Sequence, residues 1–284
     1  MRWKRGQGLD QIQDRRGMPG GRLGAGVGGL GGAGLLVVLL LNLLGGGGGG
    51  LSIDPGFGQF QPGATDGPPL TVPEGGGDDA AQFSAFVMSD VQAFWTESFR
   101  TAGQEYTPTE LVLFEDGTNS GCGAASSATG PFYCPADQLV YVDLVFFREL
   151  ASRFGAPGDF AQAYVIAHEV AHHVQNLKGT NERVRRAQSE NPDSANKLSI
   201  ALELQADCLA GAWAHSAFKD QLLESGDLEE ALGAAAAVGD DRIQKETTGR
   251  VDPETWNHGS SEQRSQWFGT GYESGDPSRC DTFQ

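Results

Sequence analysis

The most informative stretch of the sequence is DFAQAYVIAHEVAHHVQNLKG, residues 159–179. Asp159 can cap a helix and Gly179 can end one, so the stretch predicts a single helix. Because a helix turns by about 100° per residue, His168 and His172 project from the same face of it. Their spacing suits two imidazoles that bind one Zn²⁺.

Glu169 follows the first of these histidines and is the predicted catalytic base. When a zinc ion makes a water more acidic, this carboxylate can accept a proton from the water and pass it to the leaving amine. The predicted reaction is therefore hydrolysis of a peptide bond without a covalent intermediate. A catalytic zinc also needs a third protein ligand and one position open to water.

A second predicted helix, residues 196–217, offers that third ligand. Glu203 and Asp207 are four residues apart and therefore share one face of the helix. Glu203 can reach the metal, while Asp207 can accept a hydrogen bond from a ligand histidine and fix its tautomer. A solvent-exposed pair of acids is the alternative interpretation.

Three further side chains could stabilise the charge that develops during hydrolysis. His258 lies in a loop-like Asn-His-Gly-Ser stretch and could donate a hydrogen bond to an oxyanion. The alternative for His258 is a surface or structural role. Tyr133 and Tyr164 could donate in the same way, but no motif fixes their positions, and core packing is the simpler interpretation.

The N-terminal region has the composition of a membrane anchor. Residues 23–44 are uncharged and end in an apolar run, and about 20 such residues span a bilayer core. Residues 1–22 carry six basic and two acidic side chains, so the positive-inside rule predicts a cytoplasmic N-terminus and an extracytoplasmic catalytic domain. A cleaved signal peptide is the alternative, but no Ala-x-Ala site follows.

A linker and one catalytic domain account for the remaining sequence. Residues 45–79 are rich in Gly and Pro and are predicted to be a flexible linker, so the domain occupies residues 80–284. Beyond residue 22 the chain has 14 basic and 35 acidic residues. This excess of negative charge repels the phosphate backbone of nucleic acids, so nucleic-acid binding is not expected. The sequence predicts a single-pass cell-membrane protein and does not predict its oligomeric state.

Four cysteines lie in the part that is predicted to be exported. An even number of cysteines in an oxidising compartment suggests two disulfides, and three pairings are possible. Cys122 with Cys134 is favoured because the two are close in sequence, which leaves Cys208 with Cys280. Buried free thiols are the alternative.

The predicted fold class is α+β, mainly helical with a small β-sheet. Two short strands are expected at residues 110–115 and 138–142. Strand 138–142 is interpreted as an edge strand to which a peptide substrate could add by main-chain hydrogen bonds. Helices are expected at residues 80–101, 143–154, 159–178 and 196–217.

Several motifs resemble the Putative neutral zinc metallopeptidase family, and the similarity covers roughly residues 80–284. The Glu-x-x-Ala-Asp pattern at Glu203 also resembles the gluzincin peptidases. That resemblance implies a zincin-like domain with zinc as cofactor and Glu203 as its third ligand. The matching motifs are GCG (121–123), GPFYCP (130–135), HEVAHHVQN (168–176), LELQADCLAG (202–211), GDDRIQ (239–244) and HGSSEQR (258–264).

The sequence therefore predicts a membrane-anchored zinc metallopeptidase that cleaves extracytoplasmic proteins or peptides. One alternative is a catalytically silent zinc-binding pseudo-peptidase that acts as a binding or scaffold protein of the cell envelope. Another is a structural zinc site, which would need four protein ligands, with Cys208 as the fourth. Serine-hydrolase and nucleotide-dependent mechanisms find no support, because neither a Gly-x-Ser-x-Gly motif nor a Walker-type loop occurs.

Overall fold

The computed structural model describes residues 1–17 and 79–283. Within these residues the protein has eight α-helices, a four-stranded sheet and a two-stranded hairpin. The predicted fold class, mainly helical α+β, is confirmed. None of the helices in this described part is both long and apolar enough to cross a bilayer. The predicted span 23–44, and the predicted linker apart from its last residue, lie outside the described residues.

Four of the eight helices correspond to the helices expected from the sequence. These are α1 (Asp79–Thr101), α2 (Leu144–Ser152), α3 (Asp159–Leu177) and α5 (Ala195–Lys219), each within a few residues of its predicted range. The other four were not predicted. They are α4 (Thr180–Glu190), α6 (Asp227–Ala237), α7 (Asp240–Thr248) and α8 (Ser261–Ser274).

The four-stranded sheet has the order β1 (Ile12–Asp14), β2 (Leu111–Phe114), β6 (Leu139–Asp143) and β5 (Phe132–Cys134). Strands β1, β2 and β6 are parallel, and β5 runs antiparallel to β6. The predicted edge strand 138–142 corresponds to β6, which has a neighbour on each side. That prediction is therefore wrong, and β5 is an edge of the sheet. The hairpin is β3 (Gly117–Ser120) with β4 (Gly123–Ser126).

Residues 1–17 form an N-terminal arm that packs on the rest of the domain. Strand β1 of the arm pairs with β2, and Ile12 lies opposite Leu111. Met1 is buried in the main core. The ring of Trp3 lies edge-on to Phe83 of α1, with 5.7 Å between the ring centroids. The arm is thus part of the folded domain.

This packing contradicts the expected topology. The sequence predicts that residues 1–22 and the catalytic domain lie on opposite sides of a membrane. Because β1 and β2 are neighbours in one hydrogen-bonded sheet, residues 12–14 and 111–113 must lie on the same side. The prediction is therefore wrong for residues 1–17, and the folded domain is not confined to residues 80–284.

Helix α3 runs through the core of the domain, which explains why its sequence is apolar on most sides. At its start, the ring of Phe160 stacks on Trp213 of α5 at 5.7 Å. The predicted cap, Asp159, makes no capping hydrogen bond, and its carboxylate instead contacts the Met1 nitrogen at 2.9 Å. Gly179 follows the end of the helix with φ +67°, as the sequence predicts.

Helices α5 and α8 approach each other closely because glycines face the contact. A Cβ atom on Gly211 of α5 would overlap the carbonyl oxygen of Phe268. A Cβ on Gly271 of α8 would overlap the carbonyl oxygen of Cys208. This close contact holds the second half of α8 beside the part of α5 that contains Cys208 and Gly211.

Both disulfides form with the pairing favoured by the sequence. Cys122 is bonded to Cys134, which ties the β3–β4 turn to β5. Cys208 is bonded to Cys280, which ties the C-terminal tail to α5. No cysteine in the described part of the chain is a free thiol.

Candidate metal centre

Three side chains from two helices converge in the interior of the domain. Nε2 of His168 lies 3.2 Å from Nε2 of His172 and 3.2 Å from Oε2 of Glu203. Nε2 of His172 lies 3.4 Å from Oε1 of Glu203. The structure thus brings together the three residues that the sequence predicts as metal ligands.

The spacing of these donor atoms fits a zinc ion. Ligand atoms held about 2.0–2.1 Å from a tetrahedral zinc lie about 3.3 Å from one another. Two imidazole nitrogens and one carboxylate oxygen are also a donor set found in zinc hydrolases that keep a position open for water. Cys208, the candidate fourth ligand of a structural site, is held in its disulfide and is not available. The three residues could therefore hold a catalytic Zn²⁺.

Charges inside the centre shift the pKa values of its ligands. Burial lowers the pKa of His168, but the nearby carboxylates of Asp207 and Glu203 outweigh burial and raise it to about 9. Burial raises the pKa of Glu203, yet the two imidazoles hold it well below its usual value. A proton and a metal ion compete for such ligands, so metal binding should release protons.

Glu169, the predicted catalytic base, is next to His168 on α3 and is buried. Burial raises the pKa of its carboxyl above the usual value, and the positive charge of the two histidines opposes that rise. A carboxylate whose pKa is shifted toward neutrality can accept a proton and give it back near neutral pH.

Asp207 orients His168. Nδ1 of His168 donates to Oδ1 of Asp207 at 2.9 Å, so Nε2 is left with its lone pair for a metal. The hydroxyl of Tyr164 donates to the same oxygen at 2.6 Å. Arg264 donates from Nε to Oδ2 at 2.8 Å and from Nη2 to Oδ1 at 3.0 Å. Because Asp207 is fully buried, the alternative of an exposed pair of acids is wrong.

Arg264 was not identified from the sequence as part of this centre, although it lies in the HGSSEQR motif. It comes from α8, 57 residues after Asp207, and no local spacing links the two. Tyr164 was considered only as an oxyanion donor or a core residue. Its position four residues before His168, on the same face of α3, is the signal that could have placed it here.

His172 is held by an amide rather than by a carboxylate. Its Nδ1 lies 2.8 Å from Oε1 of Gln175, one turn later on α3. Nε2 of Gln175 donates to the carbonyl of Leu202 at 2.7 Å and to Oε1 of Gln205 at 3.2 Å. Gln175 was not predicted from the sequence as part of the site, and its i+3 spacing from His172 is the signal that could have indicated it.

His258 contacts an acid on α7 rather than the metal ligands. Its Nδ1 lies 2.9 Å from Oδ1 of Asp240, and the other oxygen of Asp240 accepts the backbone N–H groups of residues 257–259. Burial raises the pKa of Asp240, but these hydrogen bonds outweigh burial and leave it below its usual value. Gly259 lies against Leu204, so the loop sits beside the turn of α5 that carries Glu203.

Comparison with known proteins shows which family and which relatives this chain is similar to. A family model described as "Putative neutral zinc metallopeptidase" matches residues 1–283. The Escherichia coli K12 protein named "Uncharacterized protein YpfJ" is 44% identical over 292 residues, which cover 100% of this chain and 99% of that protein. The Mycobacterium tuberculosis H37Rv protein named "Uncharacterized protein Rv2575" is 48% identical over 189 residues, which cover 63% of each chain. No solved structure gives a significant match.

Proposed function

Because this chain belongs to the Putative neutral zinc metallopeptidase family, we propose that it hydrolyses peptide bonds with one zinc ion held by His168, His172 and Glu203. The observation that carries the proposal is the convergence of one donor atom from each residue within 4.8 Å of the others. The two imidazole Nε2 atoms are 3.2 Å apart and each lies 3.2 to 3.4 Å from an oxygen of Glu203, close to the spacing around a tetrahedral zinc. A bound Zn²⁺ would supply the Lewis acidity that makes a water nucleophilic and polarises the substrate carbonyl.

In this proposal Glu169 moves the proton. Its carboxylate accepts a proton from the attacking water and then gives it to the amine that leaves when the peptide bond breaks. The pKa of the buried Glu169 carboxyl is raised above its usual value, which supports its role as the base, because a more basic carboxylate accepts a proton more readily.

His258 is proposed to stabilise the oxyanion of the tetrahedral intermediate. Nδ1 of His258 faces Asp240, which leaves Nε2 as the ring nitrogen that could donate to the oxyanion. The backbone hydrogen bonds of Asp240 hold the loop in place, and 22% of the His258 side chain remains exposed, so a substrate could reach it. Asp240 is then a positioning residue for His258.

The substrate is proposed to be an extended peptide that adds to the edge strand β5. This strand lies at an edge of the sheet. Its Tyr133 side chain contacts α3, the helix that carries the two ligand histidines. The hydroxyl of Tyr133 in β5 accepts a hydrogen bond from Asn176 at 3.1 Å and lies 3.0 Å from Nδ1 of His173. Main-chain pairing of this kind gives affinity with little dependence on side chains.

We also propose that the domain works outside the cytoplasm on proteins or peptides of the cell envelope. The two disulfides support this location, since such bonds persist in oxidising compartments. The N-terminal arm then lies on the same side as the domain. Attachment to a membrane through residues 23–44 stays a prediction from the sequence.

Zinc content and proteolysis of the purified full-length chain test the proposed function together. We expect about one zinc per chain, cleavage of casein or of a peptide mixture, loss of cleavage after chelation, and recovery when zinc is returned. Bound zinc without cleavage under any condition would favour the pseudo-peptidase. A chain that binds no zinc would overturn both.

A further inference from the structure

Two glutamines, one buried and one half-buried, connect the ligand His172 to the C-terminal tail. Gln175, on α3, is 1% exposed and contacts His172 directly. Gln205, on α5, lies two residues after Glu203 and contacts Gln175. Nε2 of Gln205 donates in turn to the carbonyl oxygen of Cys280 at 2.8 Å. The contacts run from His172 through both amides to the tail.

The direction of the first amide determines which nitrogen of His172 can bind a metal. When Oε1 of Gln175 faces Nδ1, that nitrogen must carry the hydrogen, and Nε2 keeps its lone pair. If the amide were reversed, its NH₂ group would face Nδ1, the hydrogen would move to Nε2, and His172 could not be a ligand through that atom. The tautomer of His172 therefore depends on the orientation of Gln175.

Two acceptors hold Gln175 in the productive orientation. Its NH₂ group donates to the backbone carbonyl of Leu202, which can only accept, and to Oε1 of Gln205. Reversal would bring an amide oxygen against both of these oxygens. The Gln205 amide is itself oriented, because its NH₂ group donates to the carbonyl of Cys280, which also can only accept.

We propose that Gln175 and Gln205 form an amide relay that positions His172 for zinc, with Gln205 acting only through Gln175. The relay ends on Cys280, which its disulfide with Cys208 holds against α5. The two ligand histidines are thus oriented by different chemistry: a buried carboxylate fixes His168, and a neutral relay anchored on backbone carbonyls fixes His172. This inference rests on the proposed zinc site.

The zinc dissociation constant of full-length variants, measured by competition with a chelator, tests the relay. Methionine is close to glutamine in shape and has no amide, so we use Gln175→Met, Gln205→Met and the double variant. Gln175→Met should weaken zinc binding about 10-fold to 100-fold, as loss of a group that orients a ligand typically does. Gln205→Met should weaken it less, about threefold to tenfold, because Leu202 still orients Gln175.

The double variant distinguishes a relay from two independent contacts. If Gln205 acts through Gln175, the double variant binds zinc as Gln175→Met does. Gln188→Met is the matched control, since Gln188 is also buried and joins α4 to α5 through hydrogen bonds to Ala195 and Ser199 rather than to a metal ligand. It should change the thermal midpoint but leave zinc affinity at the wild-type value.

Three results would overturn the relay: wild-type affinity in Gln175→Met, additive losses in the double variant, or an equal loss in the Gln188→Met control. Should Gln175→Met fail to fold, unchanged zinc affinity in Gln205→Met overturns the relay as well. Failure of the proposed function is a separate result, because it would appear as a wild-type chain that binds no zinc.

Discussion

Nδ1 of His168 lies 2.9 Å from Oδ1 of Asp207, a carboxylate that is fully buried. Asp207 comes from α5, the helix that also supplies Glu203, so one helix provides a ligand and orients another. Buried carboxylates are costly unless they are hydrogen-bonded and paired with a positive charge. Asp207 has both, through Tyr164 and Arg264.

Asp207→Asn should weaken zinc binding about 10-fold to 100-fold, because the amide is a poorer acceptor for the His168 N–H and can turn its NH₂ group toward it. Chelator competition measures the effect. Asp227→Asn is the control: Asp227 is also buried but contacts Met1 and Glu224 rather than the residues of the centre. Wild-type zinc affinity in Asp207→Asn would contradict the role given to Asp207.

Arg264→Met should lower the free energy of unfolding by about 3–5 kcal/mol, because it leaves the carboxylate of Asp207 buried without its ion partner. Urea unfolding measures the loss. Arg100→Met, which removes an exposed arginine paired with Glu97 on the same helix, should change the free energy of unfolding far less, because solvent screens an exposed ion pair. The combination of Arg264→Met with Asp207→Asn should be more stable than Arg264→Met alone. If it is less stable, the pairing is not the reason for the loss.

His258→Phe should reduce kcat for peptide cleavage about 100-fold to 1,000-fold, the cost of removing one oxyanion donor, with little change in KM. Asp240→Asn should reduce kcat less, since the imidazole remains. Zinc content should stay at the wild-type level in both variants. His215→Asn is the control, because His215 contacts the carbonyl of Tyr272 rather than the centre. A wild-type kcat in His258→Phe would contradict the proposal for His258.

The N-terminal arm and the domain should be accessible from the same side of a membrane. Gly17 and Gly103 are both exposed, and a Cβ at either would meet no atom within 4 Å, so the strain of a side chain at their positive φ angles, +69° and +68°, is the cost of a cysteine there. Because every native cysteine is in a disulfide, Gly17→Cys and Gly103→Cys each introduce a single free thiol. In intact cells, a maleimide that cannot cross membranes should label both variants or neither. Labelling of only one would show that β1 does not pair with β2 in the cell.

The parts of the structure that the sequence predicted correctly are those with a strong local pattern. Helix α3 has apolar residues throughout, a glycine at its end and two histidines at helical spacing, so its extent could be predicted to within a residue or two. Glu203 and Asp207 could be placed on one face for the same reason. The disulfide Cys122–Cys134 could be predicted because the two residues are only 12 apart in sequence.

The parts that could not be predicted depend on contacts between distant segments. Strands β1 and β5 have three residues each, too few to show an alternating pattern, and without β5 the strand β6 resembles an edge. Helices α4 and α7 are polar on average, so no apolar stripe indicates them. Arg264 enters the metal centre only because Gly211 and Gly271 let α8 approach α5. No short stretch of sequence indicates that these two helices will be close together, because the contact forms only when the chain folds.

The activity of Glu169→Gln tests the central claim most directly. The variant keeps the size of the side chain and leaves His168, His172 and Glu203 in place, so it should bind about one zinc per chain, as the wild type should. Because it has no carboxylate to accept the proton, its rate of peptide cleavage should fall about 100-fold to 10,000-fold. Cleavage by Glu169→Gln at the wild-type rate, with zinc bound, would contradict the account.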